Sequence, residues 1–115
     1  MSYKTDRVAG EIVREVSRIL RDKVHDPKIP LMTTITAAEV SKDLKYARVY
    51  VSVIGDGEEA VSALNSAAGF IRRELAVSLR NMRTIPALSF RLDTSEEYGR
   101  KIDSILREIS EHEHS

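Results

Sequence analysis

Cysteine and tryptophan are both missing from these 115 residues, and only six side chains are aromatic, four tyrosines and two phenylalanines. Without cysteine there is no disulfide framework and no thiol chemistry, which fits a reducing compartment. Net charge is missing as well, because eighteen basic and eighteen acidic residues cancel. A strongly basic chain would have pointed to nucleic acid; this total does not. No apolar run approaches the roughly 18 residues of a membrane span, and the opening MSYKTDRVAG has no apolar stretch after its first basic residues, so no secretory signal is read there. The expectation is a cytoplasmic protein with no membrane partner. A Gly-rich phosphate loop and a His/Asp/Glu cluster with metal spacing are also lacking. His112 and His114 could hold a metal only loosely, since a structural site needs four ordered ligands. Asp56, Glu58 and Glu59 read better as a turn and a helix start than as an acidic site. No catalytic activity, no cofactor and no small-molecule substrate are expected.

What is present is normal for one globular unit: 42% apolar residues, enough for a modest core, and 31% charged residues. The expected organisation is a single unit over 1–110 with a short polar tail over 111–115. The charges are segregated. Between Phe70 and Arg91 stand five arginines, Arg72, Arg73, Arg80, Arg83 and Arg91, against one acid, Glu74. Between Asp93 and Glu113 stand seven acids against three bases. A neutral total hides a basic centre and an acidic end.

Hydrophobic periodicity predicts seven elements. Val8, Ile12, Val16, Ile19 and Leu20 mark a helix from about Asp6 to Val24, capped by Thr5 or Asp6 and ended by His25-Asp26-Pro27. Thr33 to Val40 is β-branched and suits a strand, and Ser41 to Lys45 reads as a turn. From Tyr46 to Ile54, Ala47, Val49, Val51 and Val53 alternate with polar residues, the two-residue period of a half-buried strand. The two strands should form a hairpin. Gly55-Asp56-Gly57 breaks the chain, and Glu58 and Glu59 open a helix carrying Val61, Leu64 and Ala68. A second helical pattern, Phe70 to Arg83, carries Ile71, Leu75, Leu79 and Met82. Leu88, Phe90 and Leu92 alternate in a third strand, and Tyr98, Ile102, Ile105 and Ile109 have the spacing of a last helix after capping oxygens at Asp93-Thr94-Ser95. Three strands with helices on one face make an α+β sandwich.

Two basic stripes stand out at 100° per residue. Arg7, Arg14, Arg18, Arg21 and His25 fall within an arc of about 60° on the first helix. Arg72, Arg73, Arg80 and Arg83 fall within about 100° on the helix after Gly69. A planar guanidinium donates two parallel hydrogen bonds and suits phosphate, but amphipathic helices also put charges outward for solubility alone. Between the two central helical patterns lies the small-residue stretch Asn65-Ser66-Ala67-Ala68-Gly69. A kink there would turn helix amides toward a phosphate. Close packing of the helix on the sheet, or a simple C-cap, would equally explain the glycine.

Five stretches resemble the ribosome-binding factor A family: R-V-A-G-E-I near the start, D-P-K after the first helix, T-I-T-A-A-E-V-S-K-D-L-K-Y-A-R-V-Y-V-S-V through the hairpin, L-N-S-A-A-G-F-I-R-R-E-L across the kink, and I-P-A-L-S-F-R-L-D-T-S before the last helix. The resemblance spans about Arg7 to Leu106. It implies a type II KH-like fold, in the order α-β-β-α-kink-α-β followed by a C-terminal helix, whose Ala-x-Gly kink is Ala67-Ala68-Gly69. It implies a non-catalytic assembly factor that binds the free small (30S) ribosomal subunit and its 16S rRNA. The family promotes late maturation, including 5′-end processing, and is linked to cold adaptation. Arg72, Arg73, Arg80 and Arg83 become the expected RNA contacts, with Arg14, Arg18 and Arg21 as a second set. Most aromatics are read at core-like positions, so phosphate and shape recognition is expected rather than base stacking. A monomer is expected. The rival reading is a KH-like protein-interaction module with no RNA contact.

Overall fold

The computed structural model describes residues 3–94 and residue 107. The order is α1 (Tyr3–Lys23), β1 (Thr34–Val40), β2 (Tyr46–Ser52), α2 (Gly57–Ser66), α3 (Ala68–Ser78) and β3 (Ala87–Leu92). Apart from Arg107, the expected C-terminal helix lies outside the described residues, as do the cap at Ser95 and the histidines of the tail.

Helix α1 begins earlier than its capping signals suggest. Thr5 and Asp6 sit inside its first two turns, where the Asp6 carboxylate complements the helix dipole. Its apolar stripe, Val8, Ile12, Val16 and Ile19, is buried against the sheet. After Lys23 the chain turns at Asp26, whose side chain accepts a hydrogen bond from the Lys28 amide at 2.9 Å.

Strands β1 and β2 pair antiparallel, from Thr34↔Ser52 to Val40↔Ala47, with a bulge between Ile35 and Ala37. The extra residue, Thr36, turns its hydroxyl to Asp93 Oδ2 at 2.5 Å, so the bulge ties β1 to the end of β3 across the sheet. The hairpin turn is held by its own side chains. The Ser41 hydroxyl donates to Asp43 Oδ1 at 2.6 Å, and the same oxygen accepts from the Lys45 amide at 3.1 Å. These bonds hold the Asp43 carboxyl below its ordinary pKa, the Ser41 hydroxyl contributing most. They also fix Leu44 in the left-handed region, at φ 62°.

Strand β3 pairs with β2 in parallel, Tyr46↔Ala87 through Val51↔Leu92, giving the order β1-β2-β3 and a mixed sheet. The crossover that a parallel pair requires is α2 plus α3. Asp56 caps α2, its Oδ1 accepting from the Glu59 amide at 3.0 Å. Inward residues Ile35, Ala47, Val49, Val51 and Phe90 meet Ala60, Ala63, Leu64, Ile71 and Leu75 in one core with α1. Each fully buried large side chain is worth about 1.5–3 kcal/mol relative to exposure. The three helices therefore cover one sheet face, an α+β fold of the type II KH-like kind. The other face carries Tyr46, Arg48, Tyr50 and Ser52 of β2, flanked by Ala87, Ser89 and Arg91 of β3.

The helix expected over 70–83 ends at Ser78. The Leu79 amide closes the last turn onto Leu75, and the Met82 amide bonds the Leu79 carbonyl in a tighter turn. Topology explains the early stop. Ala87 must lie beside Tyr46, where its amide donates to the Lys45 carbonyl, and Pro86 must be buried. Five more helical residues would carry the chain about 7.5 Å further along the α3 axis, with three residues left to return. Leu79 and Met82 still pack against the core from the turn, so their apolar spacing arises without a helix.

Candidate RNA interface

The early end of α3 breaks the four-arginine stripe. Arg72 and Arg73 are on the helix; Arg80 and Arg83 are on the segment that returns to β3. Their side chains also differ in what they hold. The Arg72 guanidinium donates from both Nη2, at 2.8 Å, and Nε, at 3.2 Å, to the Ile85 carbonyl. It is a clamp on the return segment. Arg73, Arg80 and Arg83 are exposed and make no ion pair or side-chain hydrogen bond among the described residues.

On α1, Arg7 lies 3.8 Å from Glu11, Arg18 3.2 Å from Glu15 and Arg21 3.2 Å from Asp22. Exposed pairs of this kind contribute little to stability, yet they neutralise the stripe locally. Arg14 has no such partner among the described residues. Arg18 also donates from Nη2 to the Ser78 hydroxyl at 2.6 Å, joining α1 to the end of α3 two residues before Arg80. This bond sets the α1 stripe against the C-terminal end of α3.

The kink is present and is a single residue long. Ala67, at φ −89° and ψ 0°, separates α2 from α3; its amide reaches back to Ala63 at 3.0 Å and Leu64 at 3.1 Å, and its carbonyl already accepts from Ile71 at 2.9 Å. Gly69 does not pack on the sheet. A Cβ there would meet only Arg73 Nη1, at 3.8 Å, and the residue is exposed. Neither close packing nor a left-handed backbone requires this glycine, so its bare backbone faces solvent beside Arg73 and the 38% exposed ring of Phe70.

A residue whose role the sequence did not disclose holds this end in place. The Asn65 side-chain amide donates to the Phe90 carbonyl at 3.1 Å and its Oδ1 accepts from the Phe90 amide at 2.8 Å. Phe90 is on β3, an edge strand of the described sheet, so Asn65 occupies hydrogen-bonding positions that a further strand would take. An asparagine in a last helical turn carries no signal of this in sequence, because its partner is 25 residues away.

The aromatic reading needs correction. Of the described rings only Phe90 is fully inside; Tyr46 is 66% exposed, and Phe70 and Tyr50 reach the surface. Strand alternation explains it, since Tyr46 and Tyr50 share the outward phase of β2. Arg48 lies between them, its Nη1 3.5 Å from the Tyr50 hydroxyl, a contact that raises the Arg48 pKa above its ordinary value. Among the described residues there is no cluster of metal-ligating side chains and no helix long and apolar enough to cross a membrane.

An antiparallel hairpin, a parallel third strand and two helices joined at a one-residue kink define a KH-like protein of the second type. The family model described as ribosome-binding factor A matches residues 4–106, and the chain belongs to that family. It is 43% identical to ribosome-binding factor A of Caldanaerobacter subterraneus subsp. tengcongensis, over 98% of this chain and 94% of that one. The crystal structure of the Thermus thermophilus factor superimposes with a TM-score of 0.71 at 28% identity, covering 78% of this chain and 97% of that one. Coordinates of the Thermus thermophilus factor fitted into the cryo-electron-microscopy map of its 30S complex superimpose with a TM-score of 0.65 at 28% identity, covering 76% and 92%.

Proposed function

We propose that this chain is a ribosome assembly factor that binds the free small (30S) subunit through its 16S rRNA. In this reading it promotes late maturation, including 5′-end processing of the precursor, and supports growth in the cold. It acts as a cytoplasmic monomer, one unit over 1–110, by binding alone. The observation that carries the reading is the set of uncommitted guanidiniums: Arg73 beside the exposed kink, Arg80 and Arg83 beyond the other end of α3, and Arg14 on α1. Unpaired arginines beside free backbone suit phosphate. The complex fitted for the Thermus relative supports the choice of partner.

The test is co-sedimentation of the protein with free small subunits, joined ribosomes and large subunits at low and high salt. Selective binding to free small subunits that weakens steeply with salt is the expected outcome. Absence from all three particles would overturn the reading.

A second reading, a protein-interaction module, has one observation in its favour. Leu31 and Met32, on the loop before β1, are 102% and 66% exposed, and Ile54 after β2 is 52% exposed. Binding to small subunits that is indifferent to salt but lost in Leu31→Ser/Met32→Ser would favour that reading.

A further inference from the structure

We propose that the helix-free face of the sheet is a platform for single-stranded RNA, on which Tyr46 and Tyr50 stack bases while Arg48 and Arg91 hold phosphates. It rests on the reading of the chain as an RNA binder, but uses none of the kink or helix residues.

The arrangement follows from strand periodicity. Tyr46, Arg48 and Tyr50 alternate with the buried Ala47 and Val49, so all three project from one face. Tyr46 and Tyr50 are about 13 Å apart along β2, with Arg48 midway. Arg91 stands directly beside Tyr50 on the neighbouring strand, and Ser89 beside Arg48. Arg91 makes no ion pair among the described residues. A groove of about 340 Å³ runs past Tyr46, Arg48, Ala87 and Ser89 at the hairpin end of this face.

Charge complementarity selects the occupant. The cations are Arg48 and Arg91, with Lys42 and Lys45 in the adjoining turn. The acids are Glu39, 3.9 Å from Arg48 in an exposed pair, Asp43, engaged by Ser41 and Lys45, and Asp93 at the far edge, engaged by Thr36. An exposed pair such as Glu39–Arg48 is easily exchanged for a phosphate. Apart from the tyrosines, the outward residues are charged or small: Thr34, Ala37, Glu39, Ser52, Ala87 and Ser89. A protein-docking face has a core depleted of charge; alternating rings and guanidiniums are instead the make-up of surfaces that stack successive bases and track a backbone. A duplex keeps its bases stacked on each other, so the ligand is unpaired RNA.

The test uses the full chain, a fluorescein-labelled twelve-residue uridine oligonucleotide and a hairpin duplex of similar length, read by anisotropy across a salt series. Tyr46→Ala/Tyr50→Ala should weaken oligonucleotide binding by about tenfold or more and leave duplex binding unchanged. Tyr46→Phe/Tyr50→Phe should bind like the unaltered protein, because the stacking ring is kept. Arg48→Gln/Arg91→Gln should flatten the salt dependence by about 1.4 in log–log slope, the share of two neutralised phosphates. Tyr46→Thr/Tyr50→Thr keeps β-propensity and carries the same test if the alanine pair fails to fold. Folded alanine or threonine pairs with undiminished oligonucleotide affinity would overturn the proposal, as would equal loss in the phenylalanine pair or no oligonucleotide binding by the unaltered protein at low salt. Reversing Arg73, Arg80 and Arg83 in parallel separates the two readings. Lost subunit binding with intact oligonucleotide binding in that variant supports the sheet platform as a separate site; joint loss overturns it.

Discussion

The arginines of α1 and those at and beyond α3 look alike in sequence, and the fold treats them differently. On α1, Arg7, Arg18 and Arg21 each lie within 4 Å of an acid on the same helix. In the α3 region, Arg73, Arg80 and Arg83 form no ion pair among the described residues, although Glu74 follows Arg73 in the chain, and Arg72 is bonded to a backbone carbonyl. A weak exposed pair can be exchanged for a phosphate, but each acid carried on a stripe lowers the positive potential that the phosphate meets. The α1 stripe is largely engaged by its own glutamates and aspartate, whereas the α3 region is open.

The largest expected effect comes from the open set. Arg73→Glu/Arg80→Glu/Arg83→Glu should lower affinity for free small subunits by about a hundredfold or more at moderate salt, and flatten the salt dependence by roughly one unit for each phosphate no longer neutralised. Melting should be unchanged, because none of the three holds a partner among the described residues. Normal affinity in the folded triple variant would break the comparison. Next in size is Asn65→Ala, which removes two hydrogen bonds to Phe90 and leaves the β3 edge bare. We expect a loss of about 1–3 kcal/mol in urea unfolding, and faster amide exchange along β3 than on β1. Arg72→Ala should cost about 1 kcal/mol, since its partner carbonyl remains open to water, and should reduce subunit binding less than the triple reversal. A binding loss as large as that of the triple variant would mean that Arg72 also meets the ligand. Arg14→Glu should weaken subunit binding a few-fold, and Arg7→Glu less, because Arg7 is already offset by Glu11; the reverse order would show that pairing on α1 does not screen the stripe. The smallest change is expected from Gly69→Ala. The added methyl meets only the Arg73 guanidinium, at an ordinary contact distance of 3.8 Å, and alanine is favoured over glycine in a helix by up to about 1 kcal/mol, so melting should hold or rise. A fall in subunit binding in that variant would tie the bare backbone to the ligand.

Much of this is legible in the chain itself. The break at Gly55-Asp56-Gly57, the alternation of β2 and the apolar stripe of α1 are local, and each forms where its pattern lies. The kink at Ala67-Ala68-Gly69 is legible as a run of small residues, though in sequence packing is as good a reason for the glycine as the exposure the fold gives it. The end of α3 is not legible, because Leu79 and Met82 keep helical spacing while contacting the core from a turn. Arg72 and Arg73 are neighbours of one type, and nothing local says that one would clamp Ile85 and the other remain open. The alternation with Ala47 and Val49 already places Tyr46 and Tyr50 outward, so the local pattern is a better guide here than the general core preference of aromatic rings.

By itself the sequence determined the elements that depend on neighbours a few residues apart: helix faces, strand phase and the hairpin turn, and with them the α+β class. Those signals repeat every two or three to four residues and need no distant partner. The tertiary structure alone decided the parallel placement of β3 beside β2, the early end of α3, the Asn65 clamp on Phe90 and the division of the arginines into engaged and open. Each depends on a contact between residues far apart in the chain, and such contacts exist only once the sheet and its crossover have closed.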